Sequence, residues 1–225
     1  MMRAALAADG MDRFVSGIGW YYWRQRCQAR PIQQGALMTL LILGIALFIG
    51  IHLLPTFVPA RHKLIGRMGE GGYKGLFSIA SAAGLALIIF GKAYAGFVPV
   101  WTPPAWTRHL ALTLMPFAFI LLVAAYLPSN IKRLTAHPML WGVTLWAAAH
   151  LSANGDLASL LLFGSLGAYA LFDMWSANRR GASPASNRYP AGRTIAVLAI
   201  GLAAYAAFLF LHPYLFGVPV IVPRG

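Results

Sequence analysis

Six long apolar runs separated by short polar segments set the pattern of this chain, at 37–54, 75–97, 105–127, 138–153, 157–175 and 195–211. A helix that crosses a bilayer needs about 17–25 predominantly apolar residues. Each run therefore predicts one spanning helix, the run 138–153 being the shortest. The fold expected is all-α: a polytopic transmembrane helical bundle of about six membrane-spanning helices. Prolines punctuate the boundaries at Pro55, Pro103-Pro104, Pro128, Pro138 and Pro213, where a missing N–H does least harm. Between the fourth and fifth runs, Asn154-Gly155-Asp156 predicts a tight turn with positive φ, which makes those two helices antiparallel neighbours. Gly44 and Gly50, Gly84 and Gly91, and Gly164 with Gly167 fall inside the runs and suit close helix packing.

Composition agrees with that reading and charge orients it. Of 225 residues, 59% are hydrophobic and 10% charged, against a soluble average nearer half apolar and a quarter charged. The net charge of +13 does not point to nucleic acid, because the cations sit in short loops rather than along one face. Loops one, three and five carry Arg61, Lys63, Arg67 and Lys74, then Lys132 and Arg133, then Arg179, Arg180, Arg188 and Arg193. The even loops carry none at their centres, and Lys92 and Arg108, inside the ends of the second and third runs, are expected to snorkel. Under the positive-inside rule the odd loops face the cytoplasm, with Met38 and the C-terminus outside, in a multi-pass protein of the bacterial inner membrane.

The first 37 residues run against this scheme, placing Arg3, Arg13, Arg24, Arg26 and Arg30 on the outer side beside the cluster Trp20-Tyr21-Tyr22-Trp23. They read as a basic extension upstream of a start at Met38, the alternative being a cytoplasmic anchor that adds a seventh element. Cys27 is the only cysteine, so the chain alone builds neither a disulfide nor a cysteine metal site.

Candidate chemistry lies in the histidines. His150, in Trp146-Ala147-Ala148-Ala149-His150, ends the fourth run, and His52 stands near the end of the first. A titratable ring in hydrocarbon is costly, and such residues face the bundle interior, where they hold cofactors, protons or ligands. Trp146 precedes His150 by one turn on the same face, a wall for a flat ligand or ordinary packing. His109 and His137 are second choices, the former beside Trp106 and Arg108 in the interfacial belt, the latter just before Pro138. His137 and His150 lie roughly 20 Å apart along one helix and cannot share an iron. Depth pairs His109 with His150 and His52 with His137. Asp173, the only carboxylate well inside an apolar run, is expected to pair with Arg179 or Arg180. Glu70, in the glycine-rich stretch 69–72, is expected to cap the second helix or pair with Arg67.

Short motifs in one order carry a resemblance to a known family. They are Gly50-Ile51-His52, Gly69-Glu70-Gly71-Gly72-Tyr73-Lys74-Gly75-Leu76-Phe77-Ser78, Thr102-Pro103-Pro104-Ala105-Trp106, Arg108-His109-Leu110, Ile131-Lys132-Arg133, His137-Pro138-Met139-Leu140, Leu145-Trp146, His150-Leu151 and Ala153-Asn154-Gly155. The chain resembles the NnrU-like membrane proteins over 38–180, with 181–192 a cytoplasmic linker and 193–225 an additional C-terminal transmembrane helix and tail beyond the usual core. The resemblance implies association with bacterial nitrite and nitric oxide metabolism (denitrification), as a redox or accessory component with a membrane nitric oxide or nitrite reductase system as partner. A related branch, the zeta-carotene isomerases, implies haem b held by histidines matching His52 and His150, and an apolar small-molecule substrate. That branch carries a cysteine where this chain has Ala147, so its redox-dependent ligand switch is not implied here.

His137-Pro138 also resembles the Arg-His-Pro element of membrane methyltransferases that use S-adenosylmethionine. Ala136 replaces the arginine, however, and Ser176-Ala177-Asn178-Arg179-Arg180 stands where an acidic pair is expected. No phosphate-binding glycine loop with Lys-Ser or Lys-Thr, no His-Glu-x-x-His and no Gly-x-Ser-x-Gly occurs. Whether the protein is an enzyme is left open by the residues.

Overall fold

The structure, a computed structural model, describes residues 31–218 and residue 220. It is 80% helical, with six helices and no strand among the described residues. In chain order they are α1 (Pro31–Leu53), α2 (Val58–Tyr94), α3 (Thr107–Tyr126), α4 (Pro138–Ala153), α5 (Leu157–Arg179) and α6 (Ala191–Phe216). Five are long and apolar enough to cross a membrane. The exception is α4, whose 16 residues give a length of about 24 Å, short of the roughly 30 Å hydrocarbon core.

Apolar runs predicted these elements well, and the departures have local causes. α1 begins at Pro31 rather than at residue 37, so the end of the expected extension 1–37 is helical; the basic and aromatic residues before it lie outside the described residues. α1 stops at Leu53, and a short 3₁₀ turn, Leu54–Thr56, carries Pro55. The expected first loop is instead the start of α2. Gly69, at φ 74°, kinks that helix, a left-handed conformation that glycine adopts without a Cβ clash. The stretch 69–72 is thus a bend, and Glu70 pairs with Lys74 at 2.8 Å rather than with Arg67.

Packing runs in an arc: α2 against α1, α1 against α5, α5 against α4, α4 against α3, and α3 against α6. Glycines set the closest approaches. A Cβ on Gly44 would lie 2.7 Å from the Ile88 nitrogen, one on Gly91 2.5 Å from the Leu41 nitrogen, and one on Gly201 2.7 Å from the Ile120 Cα. Gly84 and Gly167 are similarly crowded, whereas Gly50 and Gly164 face open space and contribute nothing to helix contact. The principal core joins Leu41 and Ile45 of α1, Ile88 of α2, Ala147 of α4 and Ala158, Leu162 and Phe163 of α5.

The α4–α5 turn differs from expectation. Positive φ occurs among the described residues only at Gly69, Gly181 and Gly217, so Asn154-Gly155-Asp156 is not the predicted left-handed turn. It is extended, and the α2–α3 connection lies along it. Gly155 O accepts from Val100 N at 2.8 Å and Trp101 N at 3.2 Å, and Leu157 N donates to Val98 O at 2.8 Å. Glycine is needed at 155 for space: a Cβ there would stand 1.9 Å from Trp101 O. At the other end, the segment expected to be a linker is tied down. Asn130 bonds both the nitrogen and the oxygen of Tyr189, and Ala185 N donates to Lys132 O at 2.8 Å.

Candidate functional site

His150 lies in the last turn of α4, half-buried. Its Nδ1 is 2.8 Å from Trp146 O. A carbonyl only accepts, so Nδ1 carries the proton and donates, leaving Nε2 of the neutral ring with its lone pair. The imidazole stacks on Phe163 of α5 at 4.5 Å between centroids and 26° between planes. Trp146 closes the group, 5.2 Å from His150 and 4.8 Å from Phe163.

His52 repeats the arrangement on α1. Its Nδ1 donates to Phe48 O at 2.7 Å, which again leaves Nε2 as the acceptor. Three rings surround it: Phe48 stacked at 4.2 Å, Phe77 of α2 edge-on at 5.0 Å and Tyr169 of α5 at 6.2 Å. Tyr169 Oη donates to the His52 carbonyl at 3.2 Å and lies 3.5 Å from Asp173 Oδ2. Asp173 in turn pairs with Arg180 at 3.8 Å, while Arg179 lies over the Trp175 ring at 5.1 Å.

Both imidazoles therefore meet α5, at different levels. Their contacts Phe163 and Tyr169 are six residues apart, about 9 Å along the helix axis. A metal–imidazole bond is roughly 2 Å, so one iron needs its two axial nitrogens about 4 Å apart. The donor chemistry of each ring fits haem iron, and the two rings touch α5 at residues six positions apart. The shared pairing calls for the first helix to extend past Pro55 or to tilt, and α1 ends at Leu53. Of the second choices, His109 is exposed on the flank of α3. His137 donates from Nε2 to Asn178 Oδ1 at 2.7 Å, near the far end of α5. Among the described residues no group of three or more His, Cys, Asp or Glu is arranged to hold a metal ion.

A second polar cluster went unrecognised in the sequence. Lys92, rather than snorkelling, is 2.9 Å from Asp156 Oδ1 and 2.6 Å from Ser159 Oγ, and Ser159 Oγ also bonds Asp156 Oδ2. Asp156 caps α5 by accepting from Ser159 N at 3.0 Å. Burial raises its carboxyl pKa, but the bonds from Ser159 and Lys92 and the Lys92 charge outweigh this and hold it below the usual 3.8. The available signal was Asp-x-x-Ser ahead of an apolar run, a helix N-cap pattern; nothing local pointed to Lys92, 64 residues upstream.

The profile of one family, described as NnrU protein, matches residues 40–220. The chain belongs to the NnrU family. The match runs through α6, so the last helix falls within the family's extent instead of being an addition to it. Neither the curated proteins nor the solved structures give a match.

Proposed function

We propose that this NnrU-family membrane protein is a haem-b-binding redox or accessory component of bacterial nitrite and nitric oxide metabolism, with His150 as the iron ligand. It would work in the inner membrane beside a nitric oxide or nitrite reductase system, with the odd loops in the cytoplasm. The observation that carries the haem reading is the hydrogen bond from His150 Nδ1 to Trp146 O. A metal-ligating histidine commonly donates its other N–H to such a carbonyl, which fixes the tautomer and aims Nε2. The different levels at which His150 and His52 meet α5 support one ligating histidine rather than two. His150 is preferred because His52 is ringed by three aromatic neighbours and His150 by two.

Held by His150, a haem would supply binding of a small diatomic ligand or one-electron transfer. The residues here do the rest: Trp146 O orients the ring, Phe163 and Trp146 hold it flat, and the apolar helices exclude water. Ala147, buried against Gly167, leaves the isomerase reading without the cysteine its ligand switch requires.

Absorbance decides the matter. Protein produced with ample haem is expected to show a Soret band that His150→Ala abolishes and His52→Ala retains. A colourless wild-type protein from a haem-replete host removes the proposal, and loss of the band in both variants replaces it with a shared bis-histidine iron.

A further inference from the structure

At the end of α4 opposite His150, the short loop before α4 and the segment after α5 enclose an open cleft of about 440 Å³, within the size range of small-molecule sites. Its walls are of two kinds. Trp141, Leu171, Met174 and Trp175 form an apolar side, with Leu171, Trp141 and Trp175 exposed where lipid would lie. One turn further along the same two helices lies the bonded pair His137 and Asn178, which makes one end of the cleft polar. One cation stands beside the cleft: the Arg179 guanidinium sits over the lining Trp175 at 5.1 Å. The only carboxylate on α5 near this end, Asp173, is already paired with Arg180.

We infer that this cleft binds a phosphate-headed lipid, its chain along Trp141, Leu171 and Trp175 and its phosphate at Asn178 and Arg179. An amphipathic groove open to the bilayer suits a molecule with one apolar and one polar end. The Arg179 charge beside it suits an anion, and phosphate takes hydrogen bonds from amide and guanidinium donors, here Asn178 Nδ2 and Arg179, while His137 holds the Asn178 oxygen. The His137–Asn178 bond joins the start of α4 to the end of α5 across the cleft, and the Ala185–Lys132 bond ties down the segment next to Pro184. A nucleoside cofactor such as S-adenosylmethionine is the less suited occupant, because its sulfonium and amine call for a carboxylate and none lines the cleft.

Native mass spectrometry of the full chain in neutral detergent, titrated with dioleoyl phosphatidate, is the test. One lipid is expected to remain bound per protein, with phosphatidylcholine bound at least tenfold more weakly and inorganic phosphate not competing. Asn178→Ala and the cleft-filling Ala182→Trp are each expected to weaken phosphatidate about tenfold while circular dichroism stays helical. Equal affinity for the two lipids, wild-type affinity in both variants, displacement of phosphatidate by inorganic phosphate, or saturable binding of S-adenosylmethionine that expels it would each overturn the assignment. Haem absorbance is independent of this result, so the two proposals fail separately.

Discussion

Single residues show how differently one residue type is used. Gly155 and Gly50 are both glycines near helix ends, yet one meets a carbonyl oxygen and the other meets nothing. Gly155→Ala is expected to cost about 1–3 kcal/mol through overpacking, whereas Gly50→Ala should gain up to about 1 kcal/mol from helix propensity. Denaturant unfolding in detergent would show the two shifts with opposite sign. Sequence gave no means of telling them apart, since the crowding at Gly155 comes from Trp101, more than fifty residues upstream. The same limit applied to Asp156, read as a turn residue because its partner Lys92 is distant. His150 and Trp146 were legible for the opposite reason: their relation is one helical turn and needs no tertiary contact.

Between elements, the Lys92–Asp156–Ser159 cluster locks the end of α2 to the start of α5. Removing one charge of a buried pair costs about 3–5 kcal/mol when it is fully dry. Lys92 is 27% exposed, so solvent screening lowers the expected loss for Asp156→Asn to about 2 kcal/mol. A double-mutant cycle with Lys92→Met should recover part of that loss. The sign of the pH effect follows from the lowered carboxyl pKa. Its contribution is full above the unfolded value near 3.8 and fades as pH falls through the lower folded value. Asp156→Asn should therefore flatten the acid limb of a thermal-stability profile; an unchanged limb would assign acid sensitivity elsewhere. At this scale the helix ranges were largely legible, because hydrophobic run length decides them. The first loop was misread because lysines, arginines and glycines look alike in a loop and in a kinked amphipathic helix.

For the whole molecule, the arc from α2 through α1, α5, α4 and α3 to α6 brings both histidines to α5. That they meet it at Tyr169 and Phe163, about 9 Å apart along its axis, could not be read from depth counting alone, since it depends on which helices touch. Orientation in the membrane is open to a direct measurement. In a Cys27→Ser background, Ser183→Cys is expected to react with a membrane-impermeant maleimide only from the cytoplasmic side, and Thr102→Cys only from the outside. The reverse pattern would invert the topology.

The backbone pairing of Val98, Val100 and Trp101 with Gly155 and Leu157 also bears on how the protein is made. Residues 98–101 leave the ribosome well before residue 155 does, and a helix as short as α4 has little hydrophobic length of its own to drive its insertion. The connection between α2 and α3 is thus expected to be in place first, as a receiving edge for the later α4–α5 turn. Gly155→Ala, whose Cβ would stand 1.9 Å from Trp101 O, is therefore expected to slow the docking of that turn as well as weaken it, a delay that protease protection during synthesis would register.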